Sequence, residues 1–209
     1  MKGNSSMTEV YLIRHSKTLK VNNDLNRESL QIQNEKACLS IEGEELAKKR
    51  FDNREFYNIG IIFSSNYIRA IETARYLANK NNLEINIVSD FGERIYGVNN
   101  WNELPNNFEI MQFEDENYKL KNGESQKEVR ERMYNKLVRI INNNKNKRIA
   151  IISHSTALLY LLGKWCHISY DGNSTFNGKV FFNGKWNYCE TFKLIFDDDL
   201  KLINIENIK

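Results

Sequence analysis

Two of the three histidines in this chain stand directly after runs of apolar residues. His15 follows Arg14, and His154 follows Ser153. An imidazole can serve as a nucleophile or a proton carrier, and an arginine guanidinium binds two oxygens of an anion at once. A single pair such as Arg14-His15 is more often ordinary surface than a reaction centre, so its meaning depends on what else reaches the same place.

The residues before these histidines predict buried strands. Residues 10–13, 59–63 and 149–152 are apolar without alternation and rich in branched side chains, which is typical of central strands covered on both faces. Residues 83–88 alternate instead, so we expect that strand to lie nearer an edge. Shorter strand-like pieces follow near the C-terminus, at residues 179–182, 191–196 and 202–205.

Helical patterns lie between the strands. The clearest begins at Ser125, which forms a predicted capping box with Glu128 ahead of an apolar stripe. Strands that alternate with helices predict an α/β fold with three α/β/α layers and a mainly parallel central sheet. The predicted helices span residues 41–51, 67–81, 125–142 and 156–165.

The length of the chain, 209 residues, suits one compact domain. We expect residues 1–8 to form a flexible N-terminal tail and residues 9–209 to form a single domain. Residues 97–123 are polar and carry the weakest structural pattern. Such a segment suits a lid or a substrate loop, and it equally suits plain surface.

The composition is typical of a soluble protein and excludes several partners. The net charge is only +3, and the apolar runs are too short for a membrane helix, so we expect neither nucleic acid nor membrane as a partner. The three cysteines show no CxxC spacing, which favours free thiols in a reducing compartment. We therefore expect a cytoplasmic protein, and the sequence leaves its oligomeric state open.

The polar residues after the strands are expected to meet at one edge of the sheet, because ligands collect beyond the carboxyl ends of parallel strands. Ser64 and Ser65 follow the run 59–63, and Arg69 comes one helical turn later. Each of these strand ends leads into a helix, whose N-terminus favours anions. Two arginines, two histidines and two helix starts predict a pocket for a doubly charged tetrahedral anion such as a phosphate group.

Four short motifs carry a resemblance to a known family. They occur in the family's order and in fitting strand and helix context, and together they resemble the histidine phosphatase superfamily, also called the phosphoglycerate mutase-like family. The motifs are "RHSKT" at 14–18, "SSNYIRAIETA" at 64–74, "GER" at 92–94 and "ISHS" at 152–155.

The resemblance implies a catalytic domain with a phosphoglycerate mutase-like fold and assigns roles to individual residues. His15 is the expected nucleophile, forming a phosphohistidine, while Arg14, Arg69 and His154 bind the phosphoryl group. Glu93 is the expected general acid and base, with Glu103 and Glu124 as rival acids near the pocket. The arginines supply the charge that a metal would otherwise provide, so we expect no metal and no cofactor.

Two serines depart from the family pattern. Ser16 and Ser155 stand where a glycine usually follows each histidine. Serine adds a hydroxyl beside the pocket, and we therefore include Ser16 among the expected phosphate-binding residues. Many relatives also place an asparagine three residues after the motif threonine, where this chain has Val21 followed by Asn22 and Asn23.

Three functions remain open. The favoured one is a phosphatase of the histidine acid phosphatase type that acts on a small-molecule phosphomonoester. The stretch "ERIYGVNN" at 93–100 is similar to phosphoglycerate mutases, but residues 101–116 contain no lysine or arginine to hold an acidic substrate. A non-catalytic family member that binds phosphorylated ligands ranks third. Specificity is expected from 97–123, including Trp101 at the substrate mouth, and from 21–38. His167 is expected to be an ordinary histidine at a helix end.

Overall fold

The computed structural model describes residues 7–21 and 28–209. This part of the chain forms a six-stranded sheet in the order β3-β2-β4-β1-β8-β9 and a separate three-stranded sheet, β5-β6-β7. The strands are β1 Thr8–Arg14, β2 Ile61–Ser64, β3 Ile85–Ile87, β4 Arg148–Ser153, β5 His167–Ile168, β6 Asn173–Phe176, β7 Lys179–Asn183, β8 Thr191–Phe196 and β9 Leu202–Ile208. The helices are α1 Leu30–Lys36, α2 Ile41–Phe51, α3 Ile68–Asn81, α4 Phe108–Glu114, α5 Gln126–Asn143 and α6 Ser155–Leu162.

Both faces of the large sheet are covered, which explains the unbroken apolar runs in its central strands. Side chains alternate along β1, so Val10 and Leu12 join one core with α5 and α6. Tyr11 and Ile13 point to the other face and join a second core with α2 and α3. Strands β3, β2, β4 and β1 run parallel, while β8 and β9 extend the sheet antiparallel beyond β1. The predicted three-layer α/β fold is confirmed.

Most predicted elements are present, with differences at their ends. The capping box of Ser125 and Glu128 starts α5, and β3 lies at one edge of the sheet as its alternation indicated. β1 begins at Thr8, so this residue belongs to the sheet and not to the expected tail. α6 stops at Leu162, and His167 lies exposed in β5, so the prediction of a helix-end histidine there is wrong.

Residues 97–123 have more structure than their sequence indicated. They contain α4, and the two glycines at the ends of the segment lie back to back. Gly97 has a φ of +79°, and a Cβ there would lie 2.3 Å from the backbone nitrogen of Gly123. Just outside the pair, the N–H of Glu124 donates to the carbonyl of Ile95 at 2.8 Å. The two ends of the segment are therefore in contact, so the segment leaves the domain and returns to it at the same place.

The loop that follows β1 packs directly on the first turn of α2. A Cβ on Gly43 would lie only 2.0 Å from the carbonyl oxygen of Lys17. Ser16 uses this close approach, because its hydroxyl donates to the carbonyl oxygen of Gly43 at 2.6 Å. α2 thus supports the loop that carries His15.

We expect Gly43→Ala to destabilise the protein by about 1–3 kcal/mol, because the added methyl must push the loop away from α2. In an ordinary helix the same change stabilises by up to about 1 kcal/mol, so the sign of the effect is informative. Denaturant unfolding measures the free energy, with Glu45→Ala on the exposed side of α2 as the control. A more stable Gly43→Ala variant would contradict the packing described here.

Candidate active site

The two predicted histidines meet at the carboxyl end of the sheet. Because β4 lies between β1 and β2, the residues that follow these three strands are neighbours. The N–H of His15 donates to the carbonyl of Ser153 at 2.9 Å, and that of Ser65 donates to Ile152 at 3.0 Å. The rings of His15 and His154 have their centroids 5.1 Å apart. The sheet pairing itself therefore sets the spacing of the site.

Hydrogen-bond partners define the tautomer of His15. Its Nδ1 lies 2.7 Å from the carbonyl oxygen of Ser16, which can only accept, so Nδ1 carries the proton. The Nε–H of Arg69 donates to Nε2 of His15 at 3.0 Å, so Nε2 presents its lone pair. The side chain is almost fully buried, with 9% of its surface exposed. His15 is thus oriented as a neutral base or nucleophile acting through Nε2.

Two guanidinium groups lie beside this ring. Arg69 is buried at the start of α3, stacks over the ring of Tyr67 at 4.8 Å and donates a further bond to the carbonyl of Asn34 in α1. Arg14 is half-buried and donates to two backbone carbonyls of the loop before β8. Its buried Nε finds no partner among the described residues.

His154 completes the cluster and is fully buried. Its Nε2 lies 2.8 Å from the hydroxyl of Ser65, and its ring packs against Tyr67 with centroids 4.6 Å apart. Nδ1 of His154 has no partner in the described part of the chain. Like the Nε of Arg14, it is a buried polar atom left unsatisfied, and a bound anion would satisfy both.

Glu93 lies at the N-terminus of α6, the helix whose N-cap residue is His154. Its carboxylate accepts the backbone N–H groups of Ala157 at 2.9 Å and of Thr156 at 3.4 Å. The loop before it is tied to the sheet, because the hydroxyl of Ser153 donates to the carbonyl of Phe91 at 2.7 Å. The structure therefore brings the predicted acid to the same site as the two histidines.

Arg132 in α5 holds the Glu93 loop in place, and sequence reasoning missed this residue. Its guanidinium donates to the carbonyls of Asp90 at 2.6 Å and of Gly92 and Glu93 at 3.2 Å each. Its other partner is Glu124, with contacts of 2.6 and 2.9 Å. Glu124, one of the rival acids, is thus occupied by an arginine. The available signal in the sequence was the spacing of Glu124 and Arg132, which places an acidic residue just before α5 and an arginine eight residues later within it.

The second rival acid is also occupied locally. Glu103 accepts the backbone N–H of Asn99 at 3.1 Å and the side-chain amide of Asn100 at 3.0 Å. Of the three candidate acids, Glu93 alone contacts the helix that begins beside His154.

Ser16 does not offer a donor to the anion site, contrary to the sequence-based expectation. Its N–H donates to the hydroxyl of Thr73 at 2.9 Å, and its own hydroxyl donates to Gly43. Both donors hold the loop against α2 and α3. Neither Ser16 nor Ser155 has a positive φ, so their side chains cost no backbone strain where a glycine was expected. Asn22 and Asn23 lie outside the described residues.

Arg94, next to Glu93 in the chain, is a second residue whose importance the sequence did not reveal. It is 1% exposed and forms a two-pronged ion pair with Glu109 of α4, at 2.7 and 2.9 Å. It also donates to Gln112 at 2.6 Å and to the hydroxyl of Tyr160 in α6 at 3.0 Å. Arg94 therefore fastens the 97–123 segment to the domain.

Across 7–21 and 28–209, no three His, Cys, Asp or Glu side chains are grouped as a metal ion would require. No helix within those ranges is long and apolar enough to cross a membrane.

Burial and positive charge keep both histidines neutral. Burial, followed by the charge of Arg69, holds the pKa of His15 well below its ordinary value. Burial again, with Arg69 and His15 as neighbours, lowers the pKa of His154 in the same direction. A nucleophilic imidazole must be neutral, and the ring of His15 meets this condition. Protonation of His154, expected in the substrate complex, would require the negative charge of the substrate.

We expect the free energy of unfolding to fall as the pH is lowered from about 6.5 to 5. A histidine whose pKa is lowered on folding binds its proton only in the unfolded chain over this range, which favours unfolding. Each such residue contributes a slope of about 1.4 kcal/mol per pH unit. Urea unfolding between pH 7.5 and 5 measures the slope, which should be shallower in His154→Gln. An unchanged slope in this variant would mean that His154 titrates normally when folded.

Comparisons with known proteins place this geometry in a family. The model of the histidine phosphatase superfamily (branch 1) matches residues 10–190. No curated protein matches the chain.

Several solved structures share the fold. A mycobacterial glucosyl-3-phosphoglycerate phosphatase is 15% identical with a TM-score of 0.66, covering 96% of this chain and 97% of its own. A phosphoserine phosphatase from Entamoeba histolytica, in complex with 3-phosphoglyceric acid, is 17% identical with a TM-score of 0.65, covering 97% and 98%. A phosphoglycerate mutase from Bacillus anthracis str. Sterne is 14% identical with a TM-score of 0.69, covering 100% and 95%.

At these identities the structural likeness establishes the fold alone, and it agrees with the predicted phosphoglycerate mutase-like architecture. The family model carries the assignment further, because it spans all four motifs from Arg14 to Ser155. The chain therefore belongs to the histidine phosphatase superfamily.

Proposed function

We propose that this protein is a metal-independent phosphomonoester hydrolase that works through a phosphohistidine on His15. The observation that carries the proposal is the pairing of a nucleophile with an unsatisfied anion site. Nε2 of His15 presents a lone pair, while the Nε of Arg14 and Nδ1 of His154 are buried nitrogens without partners in the described chain. A phosphoryl group would accept from Arg14, and from Nδ1 of His154 in the tautomer whose Nε2 accepts from the hydroxyl of Ser65.

In the first step, Nε2 of His15 attacks phosphorus, and the bond between phosphorus and the leaving oxygen breaks. Negative charge on the phosphoryl oxygens is met by Arg14, Arg69 and the Nδ1 of His154. Arg69 must exchange its bond to Nε2 for a phosphoryl oxygen, which its five N–H donors allow. Glu93 donates a proton to the leaving oxygen as that bond breaks.

In the second step, water attacks the phosphohistidine from the side the leaving group has vacated. Glu93, now a carboxylate, takes a proton from the water as the new oxygen–phosphorus bond forms and the nitrogen–phosphorus bond breaks. Inorganic phosphate leaves, and His15 returns to the neutral tautomer fixed by Ser16. Positive charge throughout comes from the arginines, so the proposed route needs no metal ion.

A phosphoglycerate mutase is the second candidate, and Arg94 speaks against it. A mutase needs cations that hold the carboxylate of its substrate. Arg94 is the arginine of the mutase-like "ERIYG" stretch, but it is buried and occupied by Glu109 and Gln112. Residues 101–116 contain no lysine or arginine. We therefore favour hydrolysis over transfer.

The family match supports a phosphatase-type enzyme in general. It is a match to branch 1 of the superfamily and gives no support to the narrower histidine acid phosphatase type, so we propose the broader class. The third candidate, a non-catalytic binding protein, was motivated by Ser16 and Ser155. Ser16 is accommodated by Gly43 and Thr73, and the expected catalytic side chains still converge, which favours the enzyme.

We expect the wild-type protein to hydrolyse p-nitrophenyl phosphate equally well with and without EDTA. His15→Ala should lose at least about 10³-fold in kcat, as removal of a nucleophile does. His167→Ala, an exposed histidine in β5, is the matched control and should keep full activity. Absence of turnover on a broad phosphoester panel would exclude the phosphatase. Conversion of 3-phosphoglycerate to 2-phosphoglycerate, stimulated by 2,3-bisphosphoglycerate, would establish the mutase instead.

We expect the effect of Glu93→Gln to depend on the leaving group. An alkyl phosphate needs a protonated leaving oxygen and should lose about 10²–10⁴-fold in kcat, the usual contribution of a general acid. p-Nitrophenyl phosphate has a good leaving group and should lose less than about tenfold in the first step. Glu131→Gln, an exposed change of the same charge on α5, serves as the control. Equal losses in the rate of this first step on both substrates would contradict a role for Glu93 as the acid that protonates the leaving oxygen.

A further inference from the structure

We propose that a cavity of about 180 Å³ beside the catalytic residues binds the leaving group of the substrate, and that it accepts a small, uncharged group rich in hydroxyls. This inference rests on the proposed phosphatase function and names its substrate class. The cavity lies between the start of α1 and the chain that follows Glu93. Its nine lining residues include Leu30, Gln31, Tyr96, Asn99 and Asn122.

Each wall of this cavity is connected to the reaction centre by one residue, Tyr67 on one side and Tyr96 on the other. On one side, the amide of Gln31 donates to the hydroxyl of Tyr67 at 2.8 Å, and the ring of Tyr67 packs against His154 and Arg69. On the other side, Tyr96 follows Glu93 by three residues and interacts electrostatically with both Glu93 and Arg69. A group attached to the phosphate would leave the site between these walls.

Contacts within the chain hold the two walls of the cavity together. The N–H of Leu30 donates to the carbonyl of Asn99 at 2.9 Å, which joins the two walls directly. The ring of Tyr96 is fixed by Trp101 at 5.0 Å and by the guanidinium of Arg94 at 4.4 Å. Trp101 therefore supports Tyr96 without lining the cavity itself, and the residues of the 97–123 segment that line the cavity are Gly97 to Asn99 and Asn122. A preformed site loses little freedom on binding.

The chemistry of the lining selects against charged groups. None of the nine lining residues carries a charge, and the polar groups they offer include the side-chain amides of Gln31, Asn99 and Asn122. An amide provides both donors and acceptors, which suits hydroxyl groups. The guanidinium of Arg94 lies against the ring of Tyr96 but is already paired with Glu109, and Glu103 accepts the N–H of Asn99. A carboxylate in the cavity would lose its hydration, and no described lining residue would supply a cation in return.

The volume sets the size of the leaving group. A cavity of about 180 Å³ equals the share of about six water molecules in the liquid, so it holds a short polyol or a small sugar. A nucleotide or a phosphopeptide would extend well beyond it. The inferred substrates are therefore phosphate monoesters of small neutral alcohols with several hydroxyls.

The test compares glycerol 3-phosphate with 3-phosphoglycerate, which share a carbon skeleton and differ in a hydroxymethyl against a carboxylate. We expect kcat/KM to be at least about tenfold higher for glycerol 3-phosphate, which is about 1.4 kcal/mol of discrimination. Equal values, or a preference for 3-phosphoglycerate, would overturn the inference. Turnover of p-nitrophenyl phosphate, measured in parallel, separates this failure from a failure of the phosphatase proposal itself.

A pair of variants tests the cavity directly. Asn122→Lys places a cation at the rim and should lower the ratio of the two kcat/KM values at least about fivefold in favour of 3-phosphoglycerate. Asn79→Lys, the same change on the exposed face of α3, should leave the ratio unaltered. Asn99→Lys repeats the test from the opposite wall in case Asn122→Lys misfolds. An unchanged ratio in a folded cavity variant would show that the leaving group binds elsewhere.

Discussion

The hydrogen bond from Nδ1 of His15 to the carbonyl of Ser16 is the contact on which the site depends. It fixes the proton on one nitrogen and leaves the other as the base, so a single backbone oxygen decides the chemistry of the ring. That oxygen is in place because Ser16 is anchored on both sides, to Thr73 through its N–H and to Gly43 through its hydroxyl. The serine that departs from the family pattern thus helps to hold the nucleophile.

Positive charge around that ring is concentrated and only partly neutralised. Arg14 and Arg69 lie beside two histidines whose pKa values are lowered by burial and by these same arginines. The buried Nε of Arg14 and Nδ1 of His154, which have no partners among the described residues, add to the cost of this arrangement. Such an arrangement is tolerable because the surrounding sheet and helices hold it rigidly, and it becomes favourable when a dianion enters.

The segment between Gly97 and Gly123 is anchored to the domain by a buried arginine. Here Arg94 is turned inward, where it binds Glu109 and stacks on Tyr96, and this fastens α4 to the domain. An arginine used for structure is not available to a substrate carboxylate. The wall facing the proposed leaving-group site presents side-chain amides and the ring of Tyr96, and the proposed preference for neutral leaving groups rests on this lining.

The sequence by itself determined the layers, the central strands and the set of catalytic candidates. Unbroken apolar runs require burial on both faces, and polar residues after parallel strands must meet at one edge, so His15, Arg69 and His154 could be grouped without coordinates. The capping box at Ser125 and the edge position of β3 were equally legible, because both depend on residues close together in the chain.

Only the tertiary structure decided which carboxylate is free to act as a proton donor and what Ser16, the departure from the family pattern, does. Glu124 and Glu93 look alike in sequence, but Arg132 occupies the first and positions the loop of the second from α5. The sequence predicted that Ser16 binds the phosphate, but its hydroxyl donates to the carbonyl of Gly43, 27 residues away. The short helix α4 depends on the buried Arg94. Each of these outcomes rests on contacts between distant parts of the chain, which local patterns do not encode.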